Sequence, residues 1–565
     1  MSLNNELNSH FISLISGDNV ATDLNILKCA EEAFYKEEQV FLKRFLGVLY
    51  FFNNEYLLSY LLLKGEKDNI SKFYYVFSLL NLGYRSFAIE VFSSFQNDSI
   101  LREKQINIKQ RAMLAFLLRA RVGFNDNAED QLTRSLITIV SKKSAFDITD
   151  DEKNVIFNSF NQQLINELSE RLTGKKDIER QNLNIIKNNY SDSFLELVSY
   201  SENIGNNMTL LKVNGKTFIV DCGADIKNPS ISFDEFFAKC NVKKEDVDAV
   251  FFTHAHLDHV GNALNLINYL GGNVNCYLSV DTMQLAGHGN QVYLDERNHL
   301  RFITPNIKVP VANSVDVTFL NNGHILGSTA LLFESEGKKI FFTSDFCLHD
   351  QSTVPGMNLR NVLSFCGHDI DYLVTESTYG MVPNSLKYED VWELYKIILT
   401  KLFKYNKNVF MPAYSIGRSQ ELFNGINECE DLNSCSINIL GSANNVTLYY
   451  KNLNRCGEKK AYSDRDNPLL YDFIIASSGM LVDETESNVL AKSILKDNLK
   501  NVVLIQTGYI PPNQEGSEII KEWKESGRLF FEVGLSAHAS NNEIHRLIDT
   551  LNPRIIISIH GDGIE

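Results

Sequence analysis

The sequence predicts an α/β protein: a layered α/β region from about residue 193 onward, preceded by an all-α segment over 1–190. Three observations carry this. Apolar residues recur at three and four spacing ahead of residue 190 and at two spacing beyond it. From Ala249 on, long apolar runs alternate with helical patterns, as strands covered on both faces do. Single histidines and carboxylates close several of those runs, where open sheets place their sites.

The helical segment reads as Phe41–Tyr50, Tyr56–Leu63, Phe73–Leu82, Phe87–Phe95, Met113–Leu118 and Leu132–Val140, with Gly65, Asn69, Gly83 and Asn97-Asp98 as breaks. Gly83-x4-Ala88-x3-Phe92 resembles the middle of a tetratricopeptide unit, but in one copy, so a superhelix and a plain bundle both fit. Either offers a surface for a protein partner. Asn- and Lys-rich Lys175–Asn189 reads as a linker.

Beyond it, Leu210–Val213 and Thr217–Val220 flank Asn214-Gly215-Lys216 as a hairpin, the second strand ending in Asp221. Further strands are expected at Ala249–Thr253, Val274–Leu278, Val315–Leu320, Ala330–Glu334, Lys339–Thr343, Tyr372–Glu376, Val409–Pro412, Ser436–Leu440, Phe473–Ala476, Val502–Gln506, Leu529–Val533 and Arg554–Ile559.

Bulk properties narrow the class. The 565 residues suffice for two to four domains, and no apolar stretch approaches the roughly 20 residues of a membrane span. The start lacks the basic and apolar regions of a signal peptide. Nine scattered cysteines without a Cys-x-x-Cys pair fit idle thiols in a reducing cytoplasm. Of the net charge of −16, residues 1–190 carry almost none (23 Lys+Arg, 24 Asp+Glu), against 31 and 46 beyond. That acidity argues against non-specific adhesion to nucleic acid, though not against a nucleic-acid substrate held by metal ions and a local basic groove.

Twelve histidines occur in the chain, and three of them fall within six positions, in Thr253-His254-Ala255-His256-Leu257-Asp258-His259. Imidazole and carboxylate together suit a divalent ion such as zinc. Downstream come His324 in Asn322-Gly323-His324 and Asp345 in Thr343-Ser344-Asp345. His254, His256 and His324 would hold one ion, Asp258 and His259 a second, and Asp345 would bridge them. Asp221 would fix an imidazole tautomer from behind. For His324 alone a satisfied core histidine is the ordinary explanation; its neighbours in this set outweigh it.

In order and character these residues resemble the motifs of the metallo-β-lactamase fold. Thr375-Glu376-Ser377-Thr378-Tyr379-Gly380 is similar to motif A of the β-CASP nuclease branch, Gly534-Leu535-Ser536-Ala537-His538-Ala539 to motif B, and Ile559-His560-Gly561-Asp562 to motif C. Pro412–Leu422 and Ala476–Leu481 look like that branch's strand–loop–helix and glycine turn. The resemblance covers roughly 195–565. It implies an αββα sandwich over 193–380, an inserted β-CASP α/β domain over 381–525, and a return to the sandwich over 526–565.

It also implies chemistry: two Zn²⁺ ions activating a hydroxide against the phosphodiester of single-stranded RNA. Asp258, Glu376, His538 and His560 would be the catalytic residues, with His560 also a metal ligand. His538 would bind the scissile phosphate or protonate the leaving oxygen, and Glu376 would orient it. Arg418, with the backbone around Gly417 and Gly479, are candidates for phosphate contacts. A histidine at motif C goes with RNA substrates in the family. Motif B departs from the pattern, with Ser540 after Ala539 where an aspartate often follows the alanine. The competing readings are a DNA nuclease, a partner-binding adaptor with a degenerate site, and, less in keeping with an inserted cap, a small-molecule hydrolase. A cytoplasmic location is expected, no membrane partner, and the chain admits oligomers.

Overall fold

The computed structural model describes residues 24–37, 39–94, 148–158, 185–201, 205–225, 231–295, 299–382, 385–497, 499 and 501–564. The chain divides into two compact units, one of Met1–Gln181 with the short stretches Lys404–Lys407 and Lys524–Glu532, the other of the remaining residues.

Up to residue 158 the described part of the first unit is helical: Leu24–Glu31, Lys43–Phe52, Tyr56–Leu63, Asn69–Asn81, Arg85–Ser94 and Asp150–Asn158. The Asp68 side chain accepts from Ser71 N–H and starts the fourth of these. Gly83, at φ 89°, follows it in the left-handed conformation that glycine tolerates best. Ala88 and Phe92 of the tetratricopeptide-like pattern are buried. The helices expected at Met113–Leu118 and Leu132–Val140 lie outside the described residues.

The second unit contains two seven-stranded sheets. The first runs Asn189–Ser191, Leu195–Ser199, Thr209–Val213, Lys216–Val220, Val247–Phe251, Asn275–Leu278, Leu300–Phe302. It is antiparallel up to Lys216–Val220 and parallel beyond. The second runs Ile185–Lys187, Ile555–Gly561, Tyr372–Ser377, Lys338–Phe342, Thr329–Ser335, Val315–Asn321, Lys308–Ala312. Leu197, Leu211, Phe218 and Phe251 of the first face Val317, Phe333, Phe342, Val374 and Ile557 of the second in one buried cluster. Helices Phe233–Lys239, Ala263–Tyr269 and Val280–Asn290 cover the outer side of the first sheet through a separate cluster. Leu359–Cys366 and Asn541–Leu551 cover the second. The architecture is therefore an αββα sandwich.

Between Tyr372–Ser377 and the closing strand Ile555–Gly561 the chain builds a third sheet. Its strands in this unit follow the order Ala461–Tyr462, Ile437–Leu440, Phe473–Ala476, Asn408–Pro412, Val502–Gln506, all parallel. The closing strand then enters the second sheet between its edge and Tyr372–Ser377.

Every strand expected in this unit from Leu210 onward is present, but six others go beyond the strands named, among them the buried Leu195–Ser199 at the start of the two-residue period. Ile185–Lys187 falls inside the expected linker and in the segment expected to be all-α; Ile185 and Ile186 pair with Ile556 and Ile557. Three residues amid Asn and Lys leave no visible period. Asn189–Ser191, Leu300–Phe302 and Ala461–Tyr462 are short edge strands, and Lys308–Ala312 is an edge strand carrying Pro310.

Phe251 shows how tightly the two sheets meet: it is fully buried, with Phe218, Tyr277, Phe319 and Phe333 around it at ring distances of 5.4–6.0 Å. Phe251→Ala is expected to destabilise the sandwich by about 3–5 kcal/mol. The measurement is the denaturant midpoint followed by near-ultraviolet circular dichroism.

Candidate metal centre

The strands Lys216–Val220, Val247–Phe251, Lys338–Phe342, Tyr372–Ser377 and Ile555–Gly561, which lie in two different sheets, all end at one place. Asp221 follows the first, the His254–His259 turn the second and Asp345 the third, while Glu376 and His560 sit on the last two. The loop after Val315–Asn321 adds His324, and the loop ahead of helix Asn541–Leu551 adds His538. Asp221, Ser344 and His560 hold left-handed backbone angles (φ 60°, 52° and 54°), so local strain gathers where the side chains must be aimed.

Five imidazoles surround the centre, and each has one ring nitrogen tied outward. His259 Nδ1 meets Asp221 Oδ2 at 2.8 Å, and His324 Nδ1 meets the Ala537 carbonyl at 2.9 Å. His256 Nε2 meets the Ile416 carbonyl at 3.3 Å, and His254 Nδ1 the Thr253 hydroxyl at 3.1 Å. His560 Nδ1 lies 3.0 Å from the Thr378 hydroxyl. The second nitrogen of each ring is thereby left to face the centre.

There the donors converge. His254 Nε2, His259 Nε2 and His324 Nε2 stand 3.6, 3.2 and 3.7 Å from Asp345 Oδ2. His256 Nδ1 and His324 Nε2 are 3.0 Å apart, which two lone pairs tolerate only with a proton or a cation between them. His254 Nε2 is buried with no hydrogen-bond partner, and buried Asp345 Oδ1 makes no hydrogen bond, with His560 Nδ1 3.2 Å away. Donor atoms of His254, His256, His324 and Asp345 lie within 4.8 Å of one another, and so do those of Asp258, His259 and His560. Orphaned buried donors of this kind are what a bound ion satisfies. Both clusters offer the imidazole and carboxylate donors that a divalent ion such as zinc takes, and a third grouping of Asp345, Glu376, His538 and His560 shares Asp345 with the first.

Electrostatics favour the same reading. Burial and neighbouring imidazoles push His254 and His324 well below the ordinary histidine value, and burial takes His256 to about 4. Their lone pairs are therefore free at neutral pH, as ligation requires. Burial also opposes charge on His259, but Asp345, Asp258 and Asp221 outweigh it and call for a positive charge at that ring. A divalent ion meets the same demand. Burial would raise Asp258 and Asp345, yet the imidazoles facing them hold both well below the usual carboxylate range.

Beside this centre, His538 Nδ1 donates to Glu376 Oε2 at 2.9 Å, while Glu376 Oε1 accepts the Phe346 N–H at 2.8 Å. Arg418 donates from Nη1 to the Thr507 carbonyl, with the hydroxyls of Tyr379, Tyr388 and Tyr414 in its electrostatic surroundings. Gly417 is a correction. Its N–H donates to Gln420 Oε1 at 2.7 Å, and the N–H groups of Arg418 to Glu421 find carbonyls in the same turn, so no free amide is left there for a phosphate. At Gly479 a Cβ would stand 2.8 Å from Tyr414 N, so glycine there permits a close backbone approach.

Sequence reasoning missed several supports. Thr253 donates from its hydroxyl to Asp221 Oδ2 at 2.7 Å, and Asn207 donates from Nδ2 to Asp258 Oδ2 at 3.1 Å. His349 stacks on Tyr388 at 4.3 Å and ties Glu543 (3.0 Å) to the Ser536 carbonyl (3.1 Å), holding the loop that carries His538. None has a spacing signature; only the adjacency of Thr253 to His254 is visible in the sequence. His545 is buried on helix Asn541–Leu551.

Residues 203–346 match the model of the metallo-beta-lactamase superfamily. Residues 530–563 match that of the Zn-dependent metallo-hydrolase RNA specificity domain. A metallo-β-lactamase domain followed by an RNA specificity domain indicates a β-CASP ribonuclease family. The chain is 24% identical over 424 residues to "Transcription termination factor FttA" of Lokiarchaeum sp., covering 64% of this chain and 65% of that one. It is 25% identical to "Endoribonuclease ysh1" of Schizosaccharomyces pombe (65% and 54%) and 26% identical to "Probable RNase MJ4" of Methanocaldococcus jannaschii (64% and 91%). The chain thus spans between half and two thirds of the length of the first two.

Two outcomes are expected. Asp221→Asn removes the charge behind His259 and lowers divalent-ion affinity by about 10–100-fold, read by chelator competition. Burial would raise Glu543, but the hydrogen bond and charge of His349 hold its carboxyl at about 2, below its ordinary 4.5. A depressed acid contributes stability above its unfolded value and loses it as pH falls through the folded one. Glu543→Gln should therefore flatten the fall in stability of the second unit between about pH 4.5 and pH 2, measured by urea unfolding at several pH values.

Proposed function

We propose that this protein is a zinc-dependent phosphodiesterase that cleaves single-stranded RNA in the cytoplasm. The observation that carries the reading is the set of five imidazoles, each tied outward, around Asp345 and Asp258. The matched RNA specificity region and the ribonuclease names of two relatives support the substrate class. Its nine cysteines are free thiols, in keeping with a reducing compartment.

His254, His256 and His324 would hold one zinc ion, Asp258, His259 and His560 a second, and Asp345 would bridge them. The ions, when bound, supply the Lewis acidity that activates water near pH 7 and offsets charge building on the phosphate. The chain's own residues do the rest. Burial lowers the His538 imidazole, but Glu376 and Asp345 beside it outweigh burial and carry it up to about 10. It therefore holds its proton at neutral pH and is suited to grip the scissile phosphate or to protonate the leaving oxygen. Glu376 fixes that ring through Nδ1 and leaves Nε2 toward substrate. Arg418 and the turn at Gly479 line the approach of the backbone phosphates. Residues 381–525 act as the β-CASP cap over the sandwich of 193–380 and 526–565, and residues 1–190 as a surface for a protein partner.

The test is 5′-labelled single-stranded RNA beside DNA of the same sequence, with and without chelator. RNA is expected to be cut, cutting to stop with chelator and return with zinc, and His538→Ala to lower the rate by about 10²–10⁴-fold at unchanged zinc content. Cutting of DNA alone would move the substrate to DNA. A zinc-loaded chain that cuts neither would leave the adaptor role.

A further inference from the structure

One hydroxyl stands between the proton-donating side of the site and the metal-binding side. Thr378 Oγ1 lies 2.6 Å from Glu376 Oε2, 3.0 Å from His560 Nδ1, 3.2 Å from the His560 carbonyl and 3.4 Å from His538 Nδ1. A threonine hydroxyl has one proton to give and two lone pairs with which to accept. The shortest of the four contacts runs to a carboxylate oxygen, which accepts only, so the proton goes there. The lone pairs then face His560, and the hydrogen bond to that ring exists only if Nδ1 carries the proton. Nε2 is left with its lone pair, 3.3 Å from Asp258 Oδ2 and in the cluster with His259.

The same arrangement occurs once more, on the opposite side of the centre. Thr253 Oγ1 donates to Asp221 Oδ2 at 2.7 Å and lies 3.1 Å from His254 Nδ1. His254 and His560 are the two rings with a hydroxyl at the outward nitrogen, and His560 Nδ1 has Asp345 Oδ1 beside it as well, at 3.2 Å, a second acceptor for a proton on that nitrogen. In both cases the hydroxyl is itself committed to a buried carboxylate, because a hydroxyl alone leaves the tautomer open. Asp221 decides it for His254, and Glu376 decides it for His560.

We infer that Thr378 is a positioning residue that sets the metal-binding tautomer of His560 and ties it to the carboxylate that orients His538. This rests on the proposed metal ligands, but its consequence is separate: loss of the Thr378 hydroxyl should weaken the ion held by Asp258, His259 and His560 while sparing the one held by His254, His256 and His324. Glu376 thereby serves both halves of the site. It grips His538 directly and His560 through one intervening hydroxyl, so the proton donor and the second ion are placed relative to a single fixed group.

The experiment is a zinc titration against a competing chelator on the full chain, with Thr378→Val, Thr378→Ser and the unaltered protein side by side. Valine keeps the shape and removes the hydroxyl; serine keeps the hydroxyl. The valine variant is expected to lose about 10–100-fold in affinity for one of two ions, the other unchanged, and serine to restore it. Equal binding of both ions by the valine variant would overturn the inference, as would equal loss in valine and serine. A second readout is independent of variant folding: histidine ¹⁵N spectra of the unaltered zinc-loaded protein should show His560 protonated at Nδ1, and protonation at Nε2 would overturn the inference. If the unaltered chain binds two ions but cuts no RNA, the proposed activity fails while the role of Thr378 stands or falls on the binding data alone.

Discussion

The arrangement of the second unit depends on a buried carboxylate that must not be left alone. Asp345 is 2% exposed, and its Oδ2 faces His254, His259 and His324 within 3.7 Å. An isolated carboxylate at that depth costs far more than a folded domain has to spare. Cations must therefore be brought to it from several parts of the chain, and the fold is built to do that. Two sheets pack face to face through Phe218, Phe251, Phe333 and Phe342, so that strand ends from both open on the same side. No single strand or loop holds enough ligands; the interface between the sheets assembles them.

The same constraint explains the outer ring of partners. An imidazole serves an ion only in one tautomer and one orientation, and a neutral ring in a buried pocket has no water to settle either. Asp221, Thr253, Ile416, Ala537 and Thr378 settle them instead, from five separate places in the chain. Left-handed backbone at Asp221, Ser344 and His560 is the local cost of aiming side chains from the ends of otherwise regular strands.

This division decides what the sequence makes legible. The candidate ligands cluster: His254, His256, Asp258 and His259 share one turn, and His324 and Asp345 follow apolar runs, so residue type and position single them out. The groups that orient the ligands do not cluster. Ile416 and Ala537 act through backbone carbonyls, which every residue has, and Thr378 and Asn207 are single polar side chains without a period. Most of the strands not named from the sequence are edge strands, such as Ile185–Lys187 hidden among Asn and Lys. Gly417 misled for a related reason: glycine ahead of a helix looks like an anion cradle, but Gln420 three residues on turns back and takes the amide.

The segment that follows Gly380 is more than a lid laid over a finished site. Its Ile416 carbonyl holds Nε2 of His256, and without it that ring is free to present either nitrogen to the ion. Two residues on from Ser419, the buried Glu421 accepts from the backbone and hydroxyl groups of Ser352 and Thr353 and from Tyr388, whose ring stacks on His349. His349 in turn contacts Glu543 and the carbonyl of Ser536, two residues ahead of His538. One helix start in the inserted segment therefore reaches the candidate ligand His256 directly and the loop of His538 through a chain of hydrogen bonds. Buried polar chains of this kind are stable only when every member is satisfied, so they join the parts they touch more rigidly than apolar contact does. His256, the loop of His538 and the inserted segment are thus joined through buried hydrogen bonds rather than through apolar contact alone.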